Sequence, residues 1–201
     1  MQANDEITYQ IDGDDRICEV GAAWIAFAAE NNGDHLVPPF ILGRKLWASI
    51  SDPTTREVYR GVLGRVRRGV GPVRFHFRCD SPGMRRLLEM HVVATAANGV
   101  EFRTTLLQRQ SRVDVDVLDP AVSRSELVLA ICGWCVRMPA ADGTWVEIEV
   151  AVRALGLLEA PVLPRLSHGM CPSCFEAMSR ALDDKDHDPS KVTRVAGLPN
   201  G

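Results

Sequence analysis

Two short stretches decide the fold of the C-terminal half of this chain: Cys132-Gly133-Trp134-Cys135 and Cys171-Pro172-Ser173-Cys174. Each is a C-x-x-C cluster, which places two thiols close enough together to bind one ion. The chain between the clusters is long enough to fold back and bring all four sulfurs to one point. The spacing therefore predicts a tetrahedral zinc site with the four cysteines as ligands.

The residues around each cluster indicate how its thiols are presented. Pro172 suits the first position of a helix, and residues 175–182 continue with a helical composition. Cys171 and Cys174 would then lie in the first turn, where the partial positive charge of the helix favours thiolates. The first cluster follows the apolar run 127–131, which is typical of a strand that ends in a metal-binding turn.

Other uses of these cysteines have to be weighed against zinc. Residues 132–135 resemble the redox motif of thioredoxin-like proteins, but that motif needs a helix directly after it. Here Pro139 and the turn at 140–143 interrupt any such helix. A disulfide pair or four unliganded thiols are further alternatives. His168, shortly before Cys171, is either an alternative ligand or a group that supports a sulfur from the metal's second shell.

Composition limits the classes of function. The chain has 201 residues, 46% of them hydrophobic, and a formal net charge of -3. These values favour a soluble globular protein and give no overall attraction to nucleic acid or anionic membranes. No run reaches transmembrane length, and the polar residues 1–6 do not resemble a signal peptide. We therefore expect a cytoplasmic protein, where thiols stay reduced and free to bind metal.

The N-terminal half alternates between strand and helix patterns. Strands are expected at 7–12 and 16–20, followed by a helix at 22–30. Asp52-Pro53 is typical of an N-cap and first helical position, which predicts a longer helix over 54–68. A strand meander follows at 72–78, 84–95 and 100–107. The order predicts an α+β domain with a five-stranded antiparallel sheet and flanking helices.

This order of elements resembles a PAS domain. The resemblance covers residues 5–112 and rests on residues 12–17 before a helix that carries Trp24, on residues 41–44, and on the meander. PAS domains are sensory and dimerisation modules, and many enclose a ligand between sheet and helices. The resemblance implies a sensory role and a homodimer formed through this domain.

The ligand of such a domain stays open, and its binding residues are unknown from the sequence. Haem, flavin and a small organic molecule are all compatible with the resemblance. The longer helix offers no histidine as an axial donor, and His76 and His91 fall on the polar face of their strands. Cys18 and Cys79 are in the wrong elements for covalent flavin chemistry. A pocket filled by the protein's own side chains is the plain alternative.

The rest of the chain is expected to divide into three parts. Residues 113–125 form a linker, residues 126–182 a small four-cysteine zinc module, and residues 183–201 a flexible tail. Within the module, Thr144 is expected to cap a helix over 145–155.

The module resembles short C-terminal extensions on bacterial signalling proteins. The shared pattern is C-x-x-C, then Gly143 and Trp145, then His168-Gly169 before the second C-x-x-C. The dense arginines from Arg56 to Arg86 are expected to form a solvated, salt-bridged face, because no aromatic interleaving or helix-turn-helix signature accompanies them.

These patterns predict a non-enzymatic sensory or regulatory protein that acts through protein contact. No nucleophile elbow, phosphate loop, kinase signature or pair of catalytic carboxylates is present in the sequence. The expected partners are a second copy of the chain and an unidentified signalling protein, with no membrane and no nucleic acid. The alternatives are a redox or metal sensor that releases zinc on oxidation, and a thiol-disulfide oxidoreductase.

Overall fold

The computed structural model of the chain describes residues 6–31, 33–183 and 191–194. Its N-terminal half contains a five-stranded antiparallel sheet with the strand order β2-β1-β5-β4-β3. This confirms the predicted α+β class and the predicted sheet. The strands are β1 (Ile7–Ile11), β2 (Ile17–Val20), β3 (Val73–Arg78), β4 (Met84–Ala94) and β5 (Val100–Ser111).

Two helices lie between the second and third strands of this sheet. They are α1 (Ala22–Glu30) and α2 (Pro53–Arg67). The predicted cap of α2 is confirmed, because the backbone N–H of Thr55 donates to Oδ2 of Asp52 at 2.7 Å. Satisfying a free N–H in the first turn stabilises a helix. The buried face of α2 carries Val58, Val62, Leu63 and Val66.

The sheet buries one face and leaves the other polar. Alternation along the strands produces this division, since successive side chains point to opposite faces. On the outer face, Arg74 donates to Glu89 at 3.1 Å through Nε, and Arg103 donates to Glu101 at 2.8 Å. The inner face packs against α2 and includes Val73, Phe75, Leu88, Met90, Val92, Val100 and Phe102.

The C-terminal half begins with a parallel pair of strands. They are β6 (Arg124–Cys132) and β9 (Leu163–Gly169), and α4 (Pro172–Asp183) follows β9 directly. The predicted helix after Pro172 is thus confirmed. Between the two strands lie β7 (Arg137–Pro139), β8 (Trp145–Glu147) and α3 (Ile148–Ala154).

The predicted helix over 145–155 is wrong in its first turn. Residues 145–147 form β8, which pairs with β7 as an antiparallel hairpin, and the helix starts only at Ile148. The reason is the turn between these strands. Gly143 has a φ of 82°, and Thr144 donates its backbone N–H to Asp142 at 2.9 Å. Thr144 therefore closes a hairpin turn instead of capping a helix.

A second apolar core lies within the C-terminal half. Val115 and Val117, in the stretch expected as a linker, are buried in it. The boundary positions of the predicted modules remain predictions; within the expected linker, Val115 and Val117 pack into this core, whereas Val113 is 88% exposed. The other members of this core are Ile131, Val136, Met138, Ile148, Ala151, Val152 and Leu163.

The two halves also contact each other directly. Helix α4 packs on α2, and Nη1 of the buried Arg65 donates to the backbone oxygen of Leu182 at 3.0 Å. This guanidinium satisfies one of the carbonyls left free at the end of α4.

Part of the expected tail pairs with the sheet. The backbone N–H of Thr193 donates to the oxygen of Arg74, and the N–H of His76 donates to the oxygen of Thr193, both at 2.9 Å. Thr193 therefore forms an isolated parallel bridge beside β3, so the expectation of a flexible tail is wrong at this residue. Residues 184–190 and 195–201 of the predicted tail lie outside the described residues.

In the part of the chain that the structure describes, no helix combines the length and the apolar content that crossing a bilayer requires.

Candidate metal centre

The four cysteines of the two C-x-x-C stretches meet at one point. Their sulfurs all lie within 4.8 Å of one another. The Sγ atoms of Cys135 and Cys171 are 3.7 Å apart. Zinc bound tetrahedrally at about 2.3 Å holds its sulfurs roughly 3.8 Å apart, so this spacing fits a four-sulfur ion. The cluster can therefore hold a metal ion such as zinc.

The structure does not support the disulfide alternative. All six cysteines of the chain belong to the described residues, and each is a free thiol. A disulfide needs sulfurs about 2.05 Å apart, well below the 3.7 Å that separates Cys135 from Cys171.

The parallel pairing of β6 with β9 brings the two clusters together. In the register of these strands, Ile131 lies opposite His168 and Cys132 lies opposite Gly169. The backbone N–H of Gly133 also donates to the oxygen of Gly169 at 2.9 Å. The end of β6 and the end of β9 therefore deliver the first and second cluster to the same place.

A tight turn shapes the first cluster. The backbone N–H of Val136 donates to the oxygen of Cys132 at 2.9 Å. Val136 has a φ of 60°, a left-handed conformation that costs a β-branched residue about 1–3 kcal/mol. Its side chain is buried in the second apolar core, and this packing offsets the strain.

The second cluster is built on the start of α4. Pro172 occupies the first helical position, and the N–H of Phe175 donates to the oxygen of Cys171 at 3.0 Å. The N–H of Cys171 points at Sγ of Cys132 over 3.4 Å, and Oγ of Ser173 lies 3.3 Å from Sγ of Cys171. Such contacts stabilise sulfur in its thiolate form, the form that binds metal.

Burial and mutual contact control the ionisation of the thiols. All four cysteines are at most 1% exposed. A hydrogen bond with Cys135 lowers the pKa of Cys132 to about 7, and one with Cys132 lowers the pKa of Cys171. Hydrogen bonds with Cys132 raise the pKa of Cys135 and of Cys174. A metal ion bound here would displace the remaining protons.

His168 lies beside the cluster and not within it. The group of possible ligands in the described residues contains the four cysteines alone. His168 has an exposed surface on β9, yet desolvation lowers the pKa of its imidazole, which favours the neutral form. Its role as alternative ligand or supporting group stays a prediction.

The surroundings of the first cluster differ from those of a redox motif. The antiparallel strand β7 follows Cys135, where a thioredoxin-like site needs a helix. The second C-x-x-C completes the sulfur group instead of standing apart.

A buried ion network adjoins the centre and joins the two halves. Nη1 of Arg78 donates to the backbone oxygen of Cys135 at 3.1 Å and to Glu147 at 2.6 Å, and its other nitrogens bind Asp80. Arg112 binds Asp80 at 3.1 Å and Glu149 at 2.9 Å. The side chains of Arg78 and Asp80 are 5% and 0% exposed. The expected salt bridges are present here, but the expectation of a solvated face is wrong for Arg78.

A feature that sequence reasoning missed is a cavity next to the cluster, with a volume of about 200 Å³. It lies where the start of α2, the inner face of β3 and β4, and the loops of both clusters meet. Trp134 and His168 line it from the cysteine side, and Asp52 and Tyr59 from the helix side. Its lining comes from segments far apart in the sequence, so no local pattern indicates it.

No protein-family model matches the chain, and the search of curated proteins found no match either. The fold and the site together define an α+β protein with a five-stranded antiparallel sheet and a buried four-cysteine cluster that can hold a metal ion.

Proposed function

We propose that this chain is a non-enzymatic sensory or regulatory protein, with a PAS-like domain and one structural zinc ion. The observation that carries the proposal is the meeting of four buried sulfurs at the spacing of a four-sulfur ion. Four thiolates fill a tetrahedral zinc and leave no position for water or substrate. An ion held in this way stabilises the fold and does not catalyse a reaction.

The donor set supports zinc over other common divalent ions. Soft thiolate ligands select zinc or iron-sulfur chemistry, whereas calcium and magnesium need oxygen ligands. The four sulfurs lie within 4.8 Å of one another, which is close enough for all of them to bind one ion. In a reducing cytoplasm, our proposed location, these thiolates stay available for the metal.

The sheet supports the PAS-like assignment. Two strands come first, the helices follow, and the three-stranded meander returns to pair β5 with β1. This places the helices over one face of the sheet and leaves a core between them, as the resemblance to PAS domains implies. A ligand-induced change in the packing of this core can then be transmitted to the C-terminal half, whose cysteines share the core.

The path for such a change runs through aromatic packing. The Phe75 ring lies on the inner face of the sheet, and its centroid is 4.5 Å from that of Trp134, which stands between the two cysteines of the first cluster. Tyr59 of α2 meets the same indole edge-on, with centroids 6.1 Å apart. The metal centre and the sheet therefore share one apolar core.

A homodimer formed through the outer face of the sheet would bury charged side chains in its interface. The outer face of the sheet carries ion pairs such as Arg74 with Glu89 and Arg103 with Glu101. Interfaces of homodimers are usually more apolar than this. A dimer formed elsewhere on the domain, or contact with a different signalling protein, fits the surface equally well.

Burial weighs against the two thiol-based alternatives. A redox sensor or a thiol-disulfide oxidoreductase needs an accessible thiolate, whereas all four sulfurs belong to residues at most 1% exposed. No contact in the described residues favours either reaction over metal binding.

The proposal is tested on the purified chain by native mass spectrometry and an insulin-reduction assay. We expect one zinc per chain, no insulin reduction above background, and the same result for Cys18→Ser, which alters an exposed cysteine outside the cluster. Insulin reduction that disappears in Cys132→Ser would contradict the non-enzymatic proposal. A chain that carries no metal would contradict the structural zinc.

A further inference from the structure

We propose that the cavity beside the metal centre binds a small organic cation, an amine or alkylammonium group, with Asp52 as its counter-ion. The inference deepens the proposed sensory function, on which its biological meaning rests, by assigning the ligand a chemical class. It also assigns the binding residues that the sequence left unknown.

The cavity is not enclosed by the sheet and the helices alone, because residues beside the cysteines also line it. Its walls come from three places: the start of α2 with the preceding loop, the inner face of β3 and β4, and both metal-binding loops. Gly133 and Trp134 belong to the first cluster, and His168 and Gly169 lie shortly before the second. A ligand here therefore touches the sheet and both cysteine loops at once.

The size of the cavity sets an upper limit on the ligand. Its volume of about 200 Å³ lies below the roughly 300–1,000 Å³ of sites for drug-sized ligands. Haem and flavin are far larger than this space. A small amine with one ring or a few methyl groups fits it.

The charge of the lining favours a cation. Asp52 is the one acidic side chain among the described residues that line the cavity, and no lysine or arginine stands among them. Its Oδ2 accepts both hydrogen bonds from Thr55, at 2.7 Å and 2.8 Å. Its Oδ1 has no hydrogen-bond partner in the described part of the chain. One oxygen therefore caps the helix while the other is available to a ligand.

Other polar groups of the lining are neutral. Burial raises the pKa of Tyr59 to about 12, so its hydroxyl stays protonated. Desolvation lowers the pKa of His168, so its imidazole is neutral at pH 7. Asp52 therefore carries the one formal charge among the described residues of the lining, and this charge favours a cation over an anion.

Aromatic rings supply the remaining recognition. Tyr59, Phe75, Phe77 and Trp134 line the same cavity. Cations bind to the faces of such rings, and the attraction grows when the site is partly desolvated. A carboxylate together with aromatic rings is the combination that recognises ammonium groups, whereas an apolar ligand would leave Oδ1 of Asp52 without a partner.

The position of the cavity also predicts linkage to the metal. A ligand that contacts Trp134 and Gly169 adds interactions to both cysteine loops in the folded, metal-bound form. Anything that binds the folded form in preference to the unfolded form stabilises it. Occupancy of the cavity is therefore expected to slow the loss of metal from the cluster.

The experiment is isothermal titration of the full metal-bound chain with three probes of similar size. These are 2-phenylethylammonium, 2-phenylethanol and 2-phenylacetate, which differ mainly in charge. We expect the cation to bind at least about tenfold more tightly than the alcohol, and the anion not to bind. Equal binding of cation and alcohol, preference for the anion, or no binding by any probe would overturn the inference.

Two variants locate the binding site. Asp52→Asn keeps an oxygen that can cap α2 but removes the charge, and we expect at least about tenfold weaker binding of the cation. Glu57→Gln removes the same charge from an exposed position of α2 outside the lining and should leave the affinity unchanged. Equal affinities for the two variants would overturn the role of Asp52. Zinc per chain, measured on the same samples, separates this outcome from failure of the proposed function.

Discussion

At the scale of single residues, the surroundings of the four-cysteine cluster come from distant parts of the chain. The C-x-x-C spacing is a local property, so the four cysteines could be identified without knowing the fold. The role of Trp134 depends on its contact with Phe75, a residue far away in the sequence. No local pattern carries that information, and the same holds for the burial of Arg78.

Arg78 is expected to be among the most sensitive charged residues of the chain. Arg78→Met removes one of the two arginines that bind Glu147, takes one of two arginines from the fully buried Asp80, and leaves the oxygen of Cys135 without its side-chain donor. Breaking a buried ion pair in this way costs about 3–5 kcal/mol. Urea denaturation measures the loss.

The matched control for Arg78 is a surface pair. Arg165 binds Glu126 at 2.8 Å, but the two side chains are 55% and 88% exposed. Arg165→Met should therefore change the free energy of unfolding by no more than about 1 kcal/mol. Equal losses in the two variants would contradict the importance assigned to the buried network.

Glu149 is expected to make stability depend on pH. Burial alone would raise the pKa of its carboxyl, but hydrogen bonds from Arg85 and Arg112 outweigh burial and lower it. A lowered folded-state pKa contributes stability above the unfolded value, near 4.3 for a glutamate, and loses it as the pH falls further. Glu149→Gln should therefore be less stable than wild type at pH 7, and the gap should narrow below about pH 4.5.

The measurement is urea unfolding of both proteins between pH 7 and pH 3. Glu176→Gln, at an exposed position of α4, serves as the control and should show a small difference from wild type. A gap for Glu149→Gln that stays constant or widens towards pH 3 would show that the carboxyl does not gain stability from these arginines.

At the scale of elements, the sequence predicted what is encoded locally. Strict alternation placed the strands of the meander, and Asp52-Pro53 placed the start of α2. Thr144 is a good N-cap residue as well as a good turn residue, so the local sequence predicts a helix cap at this position. The pairing of β8 with β7, which decides between the two readings, depends on residues on the other side of the turn.

Local sequence patterns also do not predict that β6 pairs with β9 in parallel. Parallel strands need a long connection, and nothing in either strand specifies its partner. Here the connection contains the β7–β8 hairpin and α3. The bridge between Thr193 and Phe75 of β3 is also a long-range contact, and the polar residues around Thr193 give no local sign of it.

The cap of α2 gives a test at this scale. Asp52→Ala removes the acceptor for the N–H and hydroxyl of Thr55 and should lower the free energy of unfolding by about 0.5–2 kcal/mol. Asp52→Asn keeps an acceptor oxygen and should cost markedly less. Chemical denaturation of the two variants provides the comparison. Equal costs would show that the charge, and not the cap, is what stabilises the helix.

At the scale of the whole molecule, the metal centre belongs to the core of the sheet. The four cysteines of the cluster pack in the same apolar core as Phe75 and Phe102 of the sheet. A second core contains residues of α3 and of the β7–β8 hairpin. The division into a sensory domain and a zinc-binding module stays a prediction. The shared core and the ion network connect the two halves in this structure.

This coupling predicts cooperative unfolding. Trp134→Ala removes a side chain that is 4% exposed and contacts Phe75, so it should cost about 3–5 kcal/mol. We expect hydrogen exchange in β4 and β5 to become faster along with that in the cysteine loops. Phe40→Ala, at a residue 62% exposed, should change neither. Unchanged exchange in the sheet of Trp134→Ala would indicate two independent units.

The central claim is that four sulfurs hold one zinc ion, and X-ray absorption at the zinc edge of the purified chain tests it most directly. The account predicts one zinc per chain with four sulfur neighbours at about 2.3 Å and no nitrogen neighbour from His168. Cys171→Ser should lower the sulfur count or abolish zinc binding, while Cys18→Ser should leave the spectrum unchanged. A purified chain without metal, or a shell that contains nitrogen or oxygen ligands, would contradict the account.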